Sequence, residues 1–182
     1  MSFFSVCICI YNEKRFVNQC VESVLDQDWD DFEIIVVDDG SSDGSSKIVD
    51  EYASQDNRLH VVHQTNHGLF QARKKAFEVA SGDYIVSLDA DDYLEKGALE
   101  IIARAIMHSG ADLAIYNNYI VHQDGRREPG LSIFHDGFEW TDNKEDLFRI
   151  FFSTSLISSI WRKAFKKDLL NLGAFDGYPR IS

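Results

Sequence analysis

Residues 32–43 read FEIIVVDDGSSD, and the break after Val37 decides the architecture. A short run of branched and aromatic side chains without polar alternation suits a parallel strand buried on both faces. The acidic, serine-rich group Asp38 to Asp43 is turn and helix-start chemistry. Beyond it Ile48, Val49, Tyr52 and Ala53 recur at the spacing of one buried helical stripe. The unit is strand, polar tip, helix.

Working outward from this stretch, the unit repeats. Phe4 to Ile10 ends in Tyr11, Asn12 and Glu13 and leads to a stripe of Phe16, Val17, Cys20, Val21, Val24 and Leu25. Leu59 to Val62 leads through Thr65–Gly68 to Leu69, Ala72, Ala76 and Ala80, and Tyr84 to Leu88 leads through Asp89–Asp92 to Leu99, Ile102, Ala103, Ile106 and Met107. A strand candidate at Leu113 to Val121 follows. Such alternation implies an α/β fold, a Rossmann-like open sheet of mostly parallel strands flanked by helices, in which ligands bind beyond the carboxyl ends of the strands. Further on, Asp124 and Gly125 suggest a hairpin turn and residues 126–130 a polar excursion. A helix over 143–152, an apolar segment over 157–161 and a last helix over 166–172 complete the expected elements, with no internal repeat or linker.

The 182 residues, 45% of them hydrophobic, suffice for one domain with its own core. A formal charge of −12 excludes a protein that works by binding nucleic acid backbone, which needs a basic surface. No stretch approaches the roughly 20 apolar residues of a membrane span, so a cytoplasmic location is expected. Cys7, Cys9 and Cys20 are too few for a disulfide framework and are expected to be buried free thiols rather than a metal site.

All four polar tips fall on one edge of the sheet. Taken singly each reads as a helix cap or turn; together, with two of them doubly acidic, they mark a site. If the strand persists through Asp89, Ala90 and Asp91, its period of two points the first and third carboxylates the same way. Such a pair of hard oxygen ligands suits Mg²⁺ or Mn²⁺ completed by phosphate oxygens and water. A divalent cation also answers how so acidic a chain could hold an anionic ligand. Of the second pair, Asp38 is assigned a structural role and Asp39 a binding one, as acceptor for a base or ribose, with Tyr11 offering a stacking face. Arg73 is either a surface charge or a phosphate contact.

Taken as a set, Val6 to Glu13, the Val37 to Asp43 run, Asn66–Gly68 with Ala72 and Arg73, and Gly82 to Ile85 leading to Asp89–Asp92 resemble family 2 glycosyltransferases of the GT-A fold. Trp161, Arg162, Lys163, Phe165 and Lys166, with Phe175, look like the Trp-x-Lys segment of that family. The resemblance implies a nucleotide-diphosphate sugar donor, often UDP-linked, and a saccharide or lipid-linked acceptor. It implies nucleotide contacts from Cys9, Tyr11, Glu13, Asp39, Arg73, Asp89 and Ala90, and a Mn²⁺ or Mg²⁺ ion held by Asp91 with Asp89. Transfer in the family usually inverts the anomeric centre, a carboxylate removing the acceptor's proton.

That base is where the chain departs from the pattern. The family's acidic pair lies a little past the Trp-x-Lys segment; only Asp176 follows Asp168 here, while Glu145 and Asp146 precede Trp161 and suit an exposed helix face. The base is therefore expected beyond Ser182, with residues 1–121 forming the donor-binding region and 122–182 the start of a truncated acceptor-side region. The basic group Arg162, Lys163, Lys166 and Lys167 reads as a solvated helix face in preference to a patch for an anionic acceptor or peripheral membrane contact. Two alternatives stand beside this reading: a haloacid-dehalogenase-like phosphohydrolase with Asp89 as nucleophile, disfavoured by the motif following the fourth strand and by Tyr93, and a non-catalytic nucleotide-binding module. A nucleotidyltransferase is discounted because no Gly-rich loop follows the first strand.

Overall fold

The computed structural model describes residues 2–130 and 162–170. Its element order is β1 (Phe4–Ile10), α1 (Val17–Leu25), β2 (Phe32–Asp38), α2 (Ser45–Gln55), β3 (Leu59–His63), α3 (Leu69–Val79), β4 (Tyr84–Asp89), α4 (Ala98–Ser109), β5 (Leu113–Ile115), β6 (Tyr119–Val121), β7 (Arg127–Pro129) and β8 (Lys163–Lys166). The main sheet runs β3-β2-β1-β4-β8-β5. Its β1, β2, β3 and β4 are mutually parallel, as expected from their apolar runs, and β8 is antiparallel to both neighbours.

Alternating side chains on these strands feed two cores. Val6, Ile8, Ile10, Ile34, Val36, Val86 and Leu88 pack with the buried stripes of α1 and α4. From the opposite face Cys7, Ile35, Val37 and Ile85 pack with Ala72, Ala76 and Phe77 of α3 and with Phe165 of β8. Each fully buried branched or aromatic side chain contributes about 1.5–3 kcal/mol, which is what makes two-sided burial dictate parallel strands here. Among the described residues no helix is long and apolar enough to cross a membrane.

Three expectations are corrected. The strand expected over 113–121 is two strands in different sheets: β5 joins the main sheet, while β6 pairs with β7 in a hairpin turned at Gly125, whose φ is +81°. The break falls at Tyr116, whose N–H bonds to the Arg162 carbonyl, and at the turn-prone Asn117 and Asn118. The helix expected over 166–172 is instead the end of β8 followed by a single 3₁₀ turn, Lys167–Leu169, because pairing with β4 and β5 overrides local propensity. The basic group is accordingly not a solvated helix face. Arg162 and Lys163 are buried, Lys166 reaches Asp112 at 3.3 Å, and the Lys167 ammonium donates to the Ala80 carbonyl. The helix over 143–152, the segment over 157–161, Trp161, Phe175, Glu145, Asp146 and Asp176 lie outside the described residues.

Candidate active site

Strand order places the site. From β1 the chain winds outward to β2 and β3, then returns to lay β4 on the other flank of β1. Between β1 and β4 the winding reverses, and a crevice opens at the carboxyl ends of the strands. The residues meeting there are Cys9 and Asp89, register partners across that pair of strands, with Val37 opposite Cys9 on the β2 side.

Arg73, delivered from α3, closes the crevice floor: its Nη2 donates to Asp89 Oδ1 at 2.5 Å, both side chains being mostly buried. Burial pushes the Cys9 thiol up to about 12, with Arg73 pulling it down and Asp89 and Asp39 pushing it further up. Cys9, Arg73, Asp89 and Asp39 therefore share one local field. Cys7 and Cys20 are buried free thiols and Cys9 a half-buried one, as expected.

The acidic turn is built differently from the expectation. Strand β4 stops at Asp89, and the Asp92 N–H bonds to the Asp89 carbonyl at 3.0 Å, closing a turn over Ala90 and Asp91. Period-two alignment of Asp89 and Asp91 is thereby lost, since the backbone no longer extends. What remains is a crowd of carboxylates. Partial desolvation, with Asp91 and Asp89 alongside, pushes Asp92 up to about 6, and Glu13 is raised by desolvation, then by Asp91 and Asp43. Glu13 and Asp91 are thus near enough for their charges to oppose each other. Asp91 is exposed and accepts no hydrogen bond from the described residues, whereas Asp89 is engaged by Arg73. Ala90 is buried beneath the turn and Tyr11 stands exposed on the rim. Among the described residues no three His, Cys, Asp or Glu converge as a protein-only metal cage.

Asp38 has the structural role expected of it. Its carboxylate accepts from Ser41 N–H at 2.9 Å, Ser46 Oγ at 2.6 Å and His63 Nδ1 at 2.9 Å. Burial alone would raise this carboxyl; the bonds from Ser41, Ser46 and His63 outweigh it and hold it below the usual range. Asp39, buried beside it, accepts from Gln64 Nε2, His67 N–H and Gly68 N–H, so it also fastens the loop leaving β3. The tips of β1 and β2 are stitched by Asn12: its N–H donates to Ser41 Oγ at 3.0 Å and its Oδ1 accepts from Ser42 N–H at 2.8 Å. Asn12 has φ +60°, a left-handed conformation Asn tolerates better than most residues. Sequence reading missed His63 and Gln64 as parts of the site; neither belongs to a pattern, and only the pairing of β3 beside β2 reveals them.

His63 bridges two acids, with Nε2 on Asp50 Oδ1 at 2.9 Å as well as Nδ1 on Asp38. Both nitrogens can donate only in the imidazolium form. The Asp38 bond, then Asp50, raise its pKa against the opposing desolvation. A raised folded pKa contributes stability that is full below the unfolded value of about 6.5 and lost as pH rises through the folded value. His63→Gln is expected to destabilise the protein near pH 6 by no more than about 1 kcal/mol, because the ring is half exposed and screened. Melting temperatures of the two proteins should converge as pH rises past that point; a gap independent of pH would show that the charge is not involved.

Residues 5–171 match the model of Glycosyl transferase family 2. The chain is 40% identical over 116 residues to Glycosyltransferase GlyG of Streptococcus pneumoniae serotype 4, an alignment covering 63% of this chain and 38% of GlyG. S. aureus TarS 1-349 superposes with a TM-score of 0.75 at 27% identity, covering 96% of this chain and 49% of that one. TarS 1-349 in complex with UDP-GlcNAc gives 0.59 at 33% identity over 63% of this chain and 34% of that one. Mannosyltransferase PcManGT from Pyrobaculum calidifontis, in complex with GDP-Man and Mn²⁺, gives 0.52 at 27% identity over 57% of this chain and 31% of that one. The chain thus spans less than half the length of each of these relatives. Its parallel sheet flanked by helices is the GT-A fold of these neighbours. With the family model matched along nearly its whole length, the chain belongs to glycosyl transferase family 2.

Proposed function

We propose that residues 1–121 form the donor-binding region of a transferase that moves a sugar from a nucleoside diphosphate, a UDP-sugar, to a saccharide or lipid-linked acceptor with inversion, and that 122–182 begin its acceptor side. The observation that carries this reading is the meeting of Arg73 and Asp89 with an acidic turn at the switch between β1 and β4. The UDP-GlcNAc complex of TarS supports the choice of nucleotide.

The donor set fits a divalent cation. Asp91 offers exposed oxygens that accept no hydrogen bond from the described residues, and Asp92 beside it is pushed up by desolvation and then by the charges of Asp91 and Asp89. Mg²⁺ and Mn²⁺ are commonly held by one or two protein carboxylates, with phosphate and water as the other ligands, so Asp91, with Asp89, would hold the ion. When bound, the ion would offset charge on the departing diphosphate. The remaining work belongs to the chain: Asp39 receives the base, Tyr11 and Cys9 line its slot, Glu13 and Ala90 border it, and Arg73 holds Asp89 in place and supplies positive charge beside the phosphates. The acceptor's proton would go to a carboxylate acting as general base.

Calorimetric titration tests the reading. UDP and UDP-sugars are expected to bind at least about tenfold more tightly with Mn²⁺ than in its absence. No binding of any nucleoside diphosphate under either condition would overturn it.

A further inference from the structure

Asp39 has a hydrogen-bonding capacity that can be counted out. An ionised carboxylate offers about four lone-pair directions, two on each oxygen. Oδ1 accepts from Gln64 Nε2 at 2.7 Å and from His67 N–H at 2.8 Å, while Oδ2 accepts from Gly68 N–H at 2.8 Å. The described residues therefore fill Oδ1 and leave a single direction, on Oδ2.

We propose that Gln64 is a specificity-determining residue for the nucleotide base: by occupying Oδ1 it leaves Asp39 one acceptor, which matches the single ring N–H of uracil and fails the paired N1–H and N2–H of guanine. This rests on the donor-site reading above, in which Asp39 receives the base. Guanine presents a carboxylate with two adjacent donors, one for each oxygen. With Oδ1 saturated, its second donor is stranded against a residue only 3% exposed, where water cannot replace the missing bond. A stranded donor of this kind lowers affinity roughly ten- to a hundredfold.

The choice is vested in one side chain. His67 and Gly68 donate through the backbone, as any residues at those positions would, and Gln64 alone among the three donates through its side chain. Gln64 is also replaceable without rerouting the loop, since it is half buried and its own N–H is fixed to the Asp38 carbonyl at 2.9 Å. Base choice is a live variable in this fold, because TarS is seen with UDP-GlcNAc and PcManGT with GDP-Man.

The test is calorimetric titration of UDP and of GDP, each with Mn²⁺, on the wild type, Gln64→Met and Gln64→Ala. Methionine keeps the length of the side chain and removes the donor. The wild type is expected to favour UDP by about tenfold or more, and both variants to narrow that ratio about tenfold through tighter GDP binding. An unchanged ratio, or an equal loss of both nucleotides, would show that Gln64 only holds the loop and would overturn the proposal, as would a wild type that prefers GDP. A wild type that binds neither nucleotide is a different failure: it removes the donor-site reading, and this inference with it.

Discussion

Asp91→Ala is expected to abolish Mn²⁺-dependent UDP binding, weakening it by about a hundredfold or more, while leaving the fold intact. The reasoning turns on what its neighbours already do. Asp89 is held by Arg73 at 2.5 Å and so has one carboxylate oxygen committed before any ligand arrives. Asp92 is pushed up to about 6 by desolvation and by the charges of Asp91 and Asp89, which makes it a poorer anion near neutrality. Asp91 is exposed and accepts no hydrogen bond from the described residues, so neither of its oxygens is committed to them. Removing a ligand from a cation held by one or two carboxylates takes away most of the protein's grip on it, about 3 kcal/mol or more, and each 1.4 kcal/mol is a factor of ten.

The same arrangement gives the control. Because Asp91 accepts no hydrogen bond from the described residues and repels Asp92 and Glu13, its loss removes no bond among them and relieves repulsion. The variant should therefore melt at or slightly above the wild-type temperature, the usual trade between stability and a charged site. Asp92→Asn, by contrast, should weaken binding only a few-fold. If Asp91→Ala bound UDP with Mn²⁺ as well as the wild type does, the metal would have to sit elsewhere.

Much of the candidate site is legible in the sequence because its parts are local there. A buried parallel strand announces itself by an unbroken apolar run, and the run's end is also the place where ligands gather, so Tyr11, Asp39 and Asp89 can be named from strand boundaries alone. Pairings across the fold are different in kind. Arg73 lies 16 residues from Asp89, and Gln64 lies 25 from Asp39; nothing in either neighbourhood announces the partner. Strand β8 was hidden for a related reason. Lys163-Ala164-Phe165-Lys166 carries charged ends that suggest a surface helix, yet the first three residues are buried because β4 and β5 receive them on either side. The Asp89–Asp91 geometry fails at a single backbone bond, Asp92 N–H to the Asp89 carbonyl, which side-chain patterns do not encode.

The largest loss of stability is expected from Gly82→Ala, far from the site at the amino end of the sheet. A methyl group at Gly82 would stand 2.7 Å from the Phe4 carbonyl carbon, 2.7 Å from the Ser5 nitrogen and 2.8 Å from Ser5 Oγ. Two of those atoms are backbone of β1, a strand paired on both sides, so they cannot yield as a flexible side chain would. The turn must move instead, and a buried polar node moves with it. Glu33 Oε1 accepts from Ser5 Oγ at 2.5 Å, from Ser81 N–H at 2.5 Å and from Gly82 N–H at 3.2 Å, while Gly82 N–H also donates to Ser5 Oγ at 2.8 Å. Burial alone would raise the Glu33 carboxyl; these bonds overcome it and keep the group charged, so losing them leaves a buried anion short of donors. Overpacking costs about 1–3 kcal/mol and each lost bond to a charged group about 1.5–3 kcal/mol. A total near 4 kcal/mol is a large share of the roughly 5–15 kcal/mol that holds a domain folded. At about 2–4 °C per kcal/mol, the melting temperature should fall by about 10 °C. Gly125→Ala supplies the contrast: its φ of +81° strains any side chain, but nothing lies within 4 Å of the added methyl, so only conformational strain of about 1–2 kcal/mol applies. Thermal unfolding of the two variants separates the mechanisms; a Gly82→Ala protein no less stable than Gly125→Ala would mean that β1 and the turn before β4 can part to make room for a methyl group that would otherwise stand 2.7 Å from the β1 backbone.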